Sequence, residues 1–94
     1  MKARFHAFIS GRVQGVAFRY FAQHIANGFG VTGWVCNLFD GRVEVVAEGE
    51  REVLERFLEE IKKGPRLARV EEVKVEWKDY QDEFVDFSIR FSSY

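Results

Sequence analysis

Cysteine is almost absent from this sequence, and the charges of its other residues nearly cancel. The lone Cys36 has no partner for an intramolecular disulfide and no second thiol at metal-ligand spacing. Fourteen basic and fifteen acidic residues give a net charge of -1, so no overall positive field attracts nucleic acid or an anionic membrane. Residues 1–10 interleave Lys2, Arg4 and His6 with apolar residues, unlike a signal peptide or a membrane span. We therefore expect a cytoplasmic protein with no zinc site and no membrane or nucleic-acid partner.

What the chain does contain is enough apolar material for one core. Of its 94 residues, 47% are hydrophobic and 16% are aromatic. That composition suits a single compact unit, and the chain is too short for two such units. We therefore predict a single domain over residues 1–94.

The spacing of apolar residues predicts a definite order of strands and helices. Alternation from Ala3 to Ile9 is typical of a half-buried strand. Apolar residues from Phe18 to Ala26 recur at helical spacing, and Gly28 is the predicted stop. The later predicted elements are strands over 31–38 and 42–48 around an Asp40-Gly41 turn, a helix over 50–63 ended by Gly64-Pro65, and strands around 73–77 and 87–91.

This order is strand, helix, strand, strand, helix, strand, with a short final strand. It is typical of a ferredoxin-like α+β sandwich, in which two helices cover one face of a sheet. We therefore predict two layers, a βαββαβ core and an antiparallel sheet with both helices on the same face.

A glycine-containing segment at residues 11–19 joins the first strand to the first helix. Gly15 lets backbone N–H groups converge, and Arg19 falls in the first helical turn. There the helix dipole disfavours a cation by roughly 0.3–1 kcal/mol, a penalty that a bound anion reverses. Free amides and a guanidinium at a helix start are suited to binding phosphate without a metal. Alternatively, the glycines only shape a turn and Arg19 extends into water.

Asn37 is the second residue that local structure does not explain. It lies near the end of a predicted strand, where Asn is depleted and its amide needs partners. A side-chain amide can hold and orient a water molecule without adding a charge that repels phosphate. The alternative is that Asn37 begins the turn through Asp40-Gly41.

Together these motifs resemble the acylphosphatase family. The sequence GRVQGVAFR at residues 11–19 is similar to the phosphate-binding signature of that family. The sequence GWVCN at 33–37, followed by GRV at 41–43, resembles its second signature. The sequence GPRLARVE at 64–71 is similar to the segment after the second helix of the family. The resemblance therefore extends over nearly the whole chain.

The resemblance implies roles for particular residues of the two signatures. Arg19 matches the arginine that binds phosphate, and Asn37 matches the asparagine that orients the attacking water. The backbone amides that surround the phosphate are implied to be those of Gln14, Gly15, Val16, Ala17 and Phe18.

The resemblance also implies the reaction and the partners. The reaction is hydrolysis of small acyl phosphates to a carboxylate and inorganic phosphate, without a cofactor or a metal. Inorganic phosphate is then both product and competitive inhibitor, and we expect a monomer. Two departures from the family pattern, Cys36 and the Pro65-Arg66 pair, lie outside this chemistry.

Two other functions are compatible with parts of the sequence. A regulatory module of the same fold would use Arg19 to capture phosphate or another small anion without catalysis, but it has no need of Asn37. An RNA-binding domain of this topology needs a basic motif with stacking aromatic residues on its third strand. Residues 42–48, RVEVVAE, contain no aromatic residue.

Overall fold

The computed structural model of the chain describes residues 1–91, in which two helices pack on a five-stranded sheet. The order of elements is the predicted one. The elements are β1 (Lys2–Arg12), α1 (Phe18–Phe29), β2 (Thr32–Asn37), β3 (Val43–Glu50), α2 (Arg51–Lys63), β4 (Arg69–Lys78) and β5 (Phe87–Arg90). Of the predicted final strand, Phe91 lies outside β5. Neither helix within these residues is long and apolar enough to cross a membrane.

The strands lie in the order β4-β1-β3-β2-β5. Strands β1 to β4 pair antiparallel, as predicted, whereas β5 pairs parallel to β2. The sheet is therefore mixed, and the prediction of an antiparallel sheet was wrong at this edge. The cause is the connection from β4, whose residues Gln81 and Glu83 donate their N–H groups to Glu48 near the end of β3. The chain crosses that end of the sheet and enters β5 beside the start of β2.

Both helices cover the same face of the sheet, as predicted. Their buried side chains and the alternate residues of the strands form one apolar cluster. The ring of Phe5 on β1 lies 6.1 Å from that of Phe57 on α2 and 5.5 Å from that of Trp77 on β4. This packing fixes α2 against β1, beside β4.

Helix α1 continues past its predicted stop at Gly28 and ends at Phe29. Gly30, with φ of 72°, adopts the left-handed conformation that closes the last turn. Val31 then donates its N–H to Ala26 O at 2.9 Å. A helix stops at the residue that takes a positive φ, and here that residue is Gly30.

The opposite face of the sheet carries a smaller apolar cluster. Trp34, Cys36 and Val46 are buried there, with Leu38 and Phe84 packed against them. Cys36 is fully buried. The two clusters cover both faces of β2 up to the residue before Asn37.

Candidate active site

The loop between β1 and α1 is anchored by alternate apolar side chains. Val13, Val16 and Phe18 are buried in the main core, whereas Gly15 and Ala17 between them are exposed. Burial of the anchors leaves the backbone of the intervening residues at the surface. The loop is therefore held in place by its buried side chains, while Gly15 and Ala17 stay accessible to solvent.

The peptide N–H groups of this loop are free. Gly15 and Ala17 have φ of 74° and 62°, both in the left-handed region. Within residues 1–91, the N–H groups of residues 14–17 have no hydrogen-bond acceptor. The start of α1 has no side-chain cap and no acidic residue in its first turn. Consecutive free N–H groups at an uncapped helix start form a site for an anion.

Arg19 lies in that first turn and is partly exposed. In the described part of the chain, no carboxylate forms an ion pair with it. Its charge nonetheless acts on β2. Burial and, after it, Glu44 raise the pKa of the Cys36 thiol, which is about 11 even though the charges of Arg90 and Arg19 lower it. The guanidinium is thus within electrostatic reach of the residue next to Asn37.

Asn37 is the last residue of β2 and faces the helices. It pairs with Val43 of β3, which in turn pairs with Ile9 of β1, so the three residues form one row across the sheet. Its side-chain oxygen Oδ1 is buried, and no group of residues 1–91 donates a hydrogen bond to it. A buried amide oxygen without a donor is costly, which marks this atom as an acceptor for a bound molecule.

The turn after Asn37 is closed by other residues. Leu38 N donates to Arg42 O at 2.8 Å, and Gly41 N donates to Leu38 O at 3.2 Å. Asp40 accepts bonds from Arg42 N at 3.1 Å and from Arg42 Nε at 2.8 Å. Within the described residues, none of the hydrogen bonds that close the turn involves Asn37. They therefore do not support the alternative that Asn37 begins this turn.

Gln14 joins the loop to this turn. Its side-chain Nε2 donates to Leu38 O at 2.7 Å and to Arg42 O at 2.9 Å. The family resemblance implied only the backbone amide of Gln14 and gave its side chain no role. The sequence held no signal for these bonds, because both acceptors are backbone carbonyl groups distant in the chain.

The predicted residues therefore meet at one end of the sheet. The free amides of residues 14–17, the backbone of Phe18, the guanidinium of Arg19 and the amide of Asn37 all lie where β1 and β2 end and α1 begins. Among residues 1–91 there is no group of three side chains that could hold a metal ion. The groups present can neutralise an anion and accept a hydrogen bond from a water molecule.

Comparisons with known proteins identify the family of the chain. The family profile described as Acylphosphatase matches residues 5–89. A protein named Acylphosphatase from Syntrophobacter fumaroxidans is 50% identical over 90 residues, which are 96% of this chain and 93% of the relative. Another from Thermus thermophilus is 60% identical over 74 residues, which are 79% of this chain and 84% of the relative.

A solved structure supports the same assignment. The acylphosphatase from Bacillus subtilis matches this fold with a TM-score of 0.92 and 38% sequence identity. The match covers 97% of this chain and 100% of that one. The family resemblance found in the sequence is thereby confirmed, and the chain belongs to the acylphosphatase family.

Proposed function

We propose that this chain, as a single domain, hydrolyses the carboxyl-phosphate bond of small acyl phosphates between the loop before α1 and Asn37. One observation carries the proposal. Among residues 1–91, backbone N–H groups without an acceptor at an uncapped helix start lie at the same end of the sheet as a buried amide oxygen that lacks a donor. The first feature suits the phosphoryl group, and the second suits the water that attacks it.

The phosphoryl group is held by charge and by backbone donors. Arg19 provides a planar guanidinium that forms paired hydrogen bonds to two phosphate oxygens. Phosphoryl transfer demands positioning and neutralisation of charge on the equatorial oxygens. The remaining donors are the N–H groups of Gln14, Gly15, Val16, Ala17 and Phe18.

Asn37 positions the nucleophile. Its Oδ1 accepts a hydrogen bond from a water molecule and directs a lone pair of that water at phosphorus, opposite the leaving oxygen. The amide is neutral, so it does not repel the phosphate. The leaving carboxylate is a weak base, and it therefore departs without a general acid. Alkyl phosphates should be poor substrates, because an alkoxide needs a proton or a metal to leave.

The buried oxygen of Asn37 also distinguishes a catalytic site from a site that only binds an anion. A regulatory module would need the loop and Arg19 but no acceptor for a water molecule. We further propose that inorganic phosphate, the product, competes with substrate for the same donors. A monomer in the cytoplasm is the state we propose, in keeping with the unpaired thiol of Cys36.

The test is hydrolysis of benzoyl phosphate by the wild type, Arg19→Ala and Asn37→Ala, with a metal chelator present. We expect wild-type turnover to persist with the chelator. Arg19→Ala should lose phosphate binding and turnover together, because it removes the charge that holds the substrate. Asn37→Ala should keep phosphate binding, measured by calorimetry, and lose turnover.

Circular dichroism of each variant controls for folding. A wild type that binds phosphate but does not hydrolyse benzoyl phosphate would favour the regulatory module. Equal rates on a simple alkyl phosphate and on benzoyl phosphate would contradict the proposed departure of the leaving group.

A further inference from the structure

The Gln14 side chain connects the two halves of the proposed site. Its Nε2 donates one hydrogen bond to Leu38 O at 2.7 Å and another to Arg42 O at 2.9 Å. These carbonyl groups stand at the two ends of the turn that follows Asn37, and Leu38 N closes the same turn on Arg42 O at 2.8 Å. Both bonds of Gln14 are partly shielded from water.

A primary amide fits this position for a chemical reason. Its nitrogen carries two N–H groups, and both are used here on backbone carbonyl groups. An ammonium or guanidinium group would offer the same donors but would add a charge beside the loop. A hydroxyl group has a single proton to donate. Gln14 therefore satisfies two carbonyl groups at once and leaves the charge of the site to Arg19.

Gln14 contributes to the proposed site through both its backbone and its side chain. Its own backbone N–H is one of the free donors of the loop, whereas its side chain holds the residue directly after Asn37. A single residue thus fixes the loop relative to the end of β2. A displacement of about 1 Å between reacting groups is enough to slow a reaction about 100-fold.

We propose that the Gln14 side chain is a positioning residue that sets where the water held by Asn37 stands relative to the phosphoryl group. This inference rests on the proposed function. Phosphate binding uses the loop amides and Arg19, which do not need the turn. Loss of the side chain should therefore reduce kcat and leave phosphate affinity nearly unchanged.

The variant that tests this is Gln14→Met, which keeps the length of the side chain and removes both donors. We expect kcat for benzoyl phosphate to fall about 10- to 100-fold. The Kd of inorganic phosphate, measured by calorimetry, should change less than about threefold. A matched control is Gln23→Met, because Gln23 Nε2 also donates to a backbone carbonyl, that of Phe87 at 3.0 Å. The control should keep kcat within about twofold of the wild type, since its bond lies away from the turn.

The double variant Gln14→Met/Asn37→Ala separates positioning from general support of the fold. If Gln14 acts through Asn37, the double variant should be no slower than Asn37→Ala alone. The proposal would be overturned if Gln14→Met slowed Asn37→Ala by the same factor as it slows the wild type. A wild-type kcat in Gln14→Met would also overturn it, as would a loss of phosphate affinity that matches the loss of kcat.

A second variant tests the proposal if Gln14→Met does not fold. Gln14→Asn keeps a polar amide but withdraws it by one methylene group, so it no longer reaches both carbonyl groups. It should show the same loss of kcat, and a wild-type kcat would overturn the proposal. Full activity of Asn37→Ala is a different result, because it contradicts the proposed function itself and not only the role of Gln14.

Discussion

Asn37 and Val43 stand opposite each other at the last paired position of β2 and β3. Val43 is fully buried in the main core, whereas Asn37 carries a buried oxygen that has no donor within residues 1–91. The row of Ile9, Val43 and Asn37 lies at the end of the sheet where β1 leads into the loop and Arg19. The buried oxygen therefore belongs to the same end of the sheet as the loop.

Asn37→Asp should weaken phosphate binding as well as turnover. The two side chains have nearly the same shape, but the carboxylate places a negative charge opposite the phosphate. Like charges about 4 Å apart repel by about 1–4 kcal/mol near a protein surface, which corresponds to at least a fivefold weaker Kd. Calorimetry with inorganic phosphate measures this change. Asn37→Ala is the neutral control, and equal phosphate affinity in the two variants would contradict the placement of Asn37 beside the phosphate.

Gly15→Ala and Gly11→Ala should differ in their cost to stability. Gly15 has φ of 74°, and a Cβ there would meet no atom within 4 Å, so the cost is about 1 kcal/mol of backbone strain. Gly11 has φ of 125°, and a Cβ there would collide with Arg69 O and lie 2.9 Å from Glu71 N. Its replacement should cost more than about 3 kcal/mol, because β4 must move.

Urea denaturation of both variants measures these costs. Equal losses of unfolding free energy would show that the close approach of β1 and β4 at Gly11 does not add to the cost of a side chain there.

Most of the fold could be predicted from apolar periodicity. The alternation from Ala3 to Ile9 identifies the buried side of β1, because a half-buried strand has a period of two. The end of α1 was misplaced, since both Gly28 and Gly30 can stop a helix and only the folded backbone shows which has a positive φ. The direction of β5 was also missed. It depends on the contacts of Glu48 with the preceding connection, which are distant in sequence.

The part of the candidate site that could be predicted consists of residues that are unusual at their positions in a helix or a strand. Arg19 at a helix start and Asn37 in a strand are such residues, and the resemblance to known signatures gave them roles. The side chain of Gln14 was missed because its partners are carbonyl groups at Leu38 and Arg42. A long-range bond to the backbone leaves no pattern in the sequence, since any residue provides a carbonyl.

Cys36 should make the stability of the protein fall in alkaline solution. Burial, together with the nearby Glu44, raises the pKa of its thiol from the ordinary value of 9.0 to about 11. Between these values the folded chain keeps a proton that the unfolded chain releases. This contribution is therefore complete below pH 9 and is lost as pH rises toward 11, by at most about 1.4 kcal/mol per pH unit.

Cys36→Ala removes this titration and is the matched comparison. Urea denaturation at several pH values should show the wild type losing stability relative to Cys36→Ala above pH 9. Parallel curves for the two proteins would show that the thiol does not titrate differently on folding.

Glu48→Gln should destabilise the fold and leave catalysis intact. The carboxylate of Glu48 is buried and accepts bonds from Gln81 N at 2.7 Å, Glu83 N at 3.0 Å and Arg4 Nη1 at 3.4 Å. The amide turns an NH₂ group toward one of these donors, so we expect a loss of about 2–4 kcal/mol in unfolding free energy.

Turnover of benzoyl phosphate should not change, because Glu48 pairs with Thr32 at the start of β2 and Asn37 is at its other end. Glu76→Gln is the control, since Glu76 is exposed and its ion pair with Lys78 should contribute less than about 1 kcal/mol. Urea denaturation measures the unfolding free energy of both variants. Turnover of benzoyl phosphate is measured at a temperature at which both are folded. A fall in kcat of folded Glu48→Gln would mean that the crossing segment between β4 and β5 influences the site through the sheet.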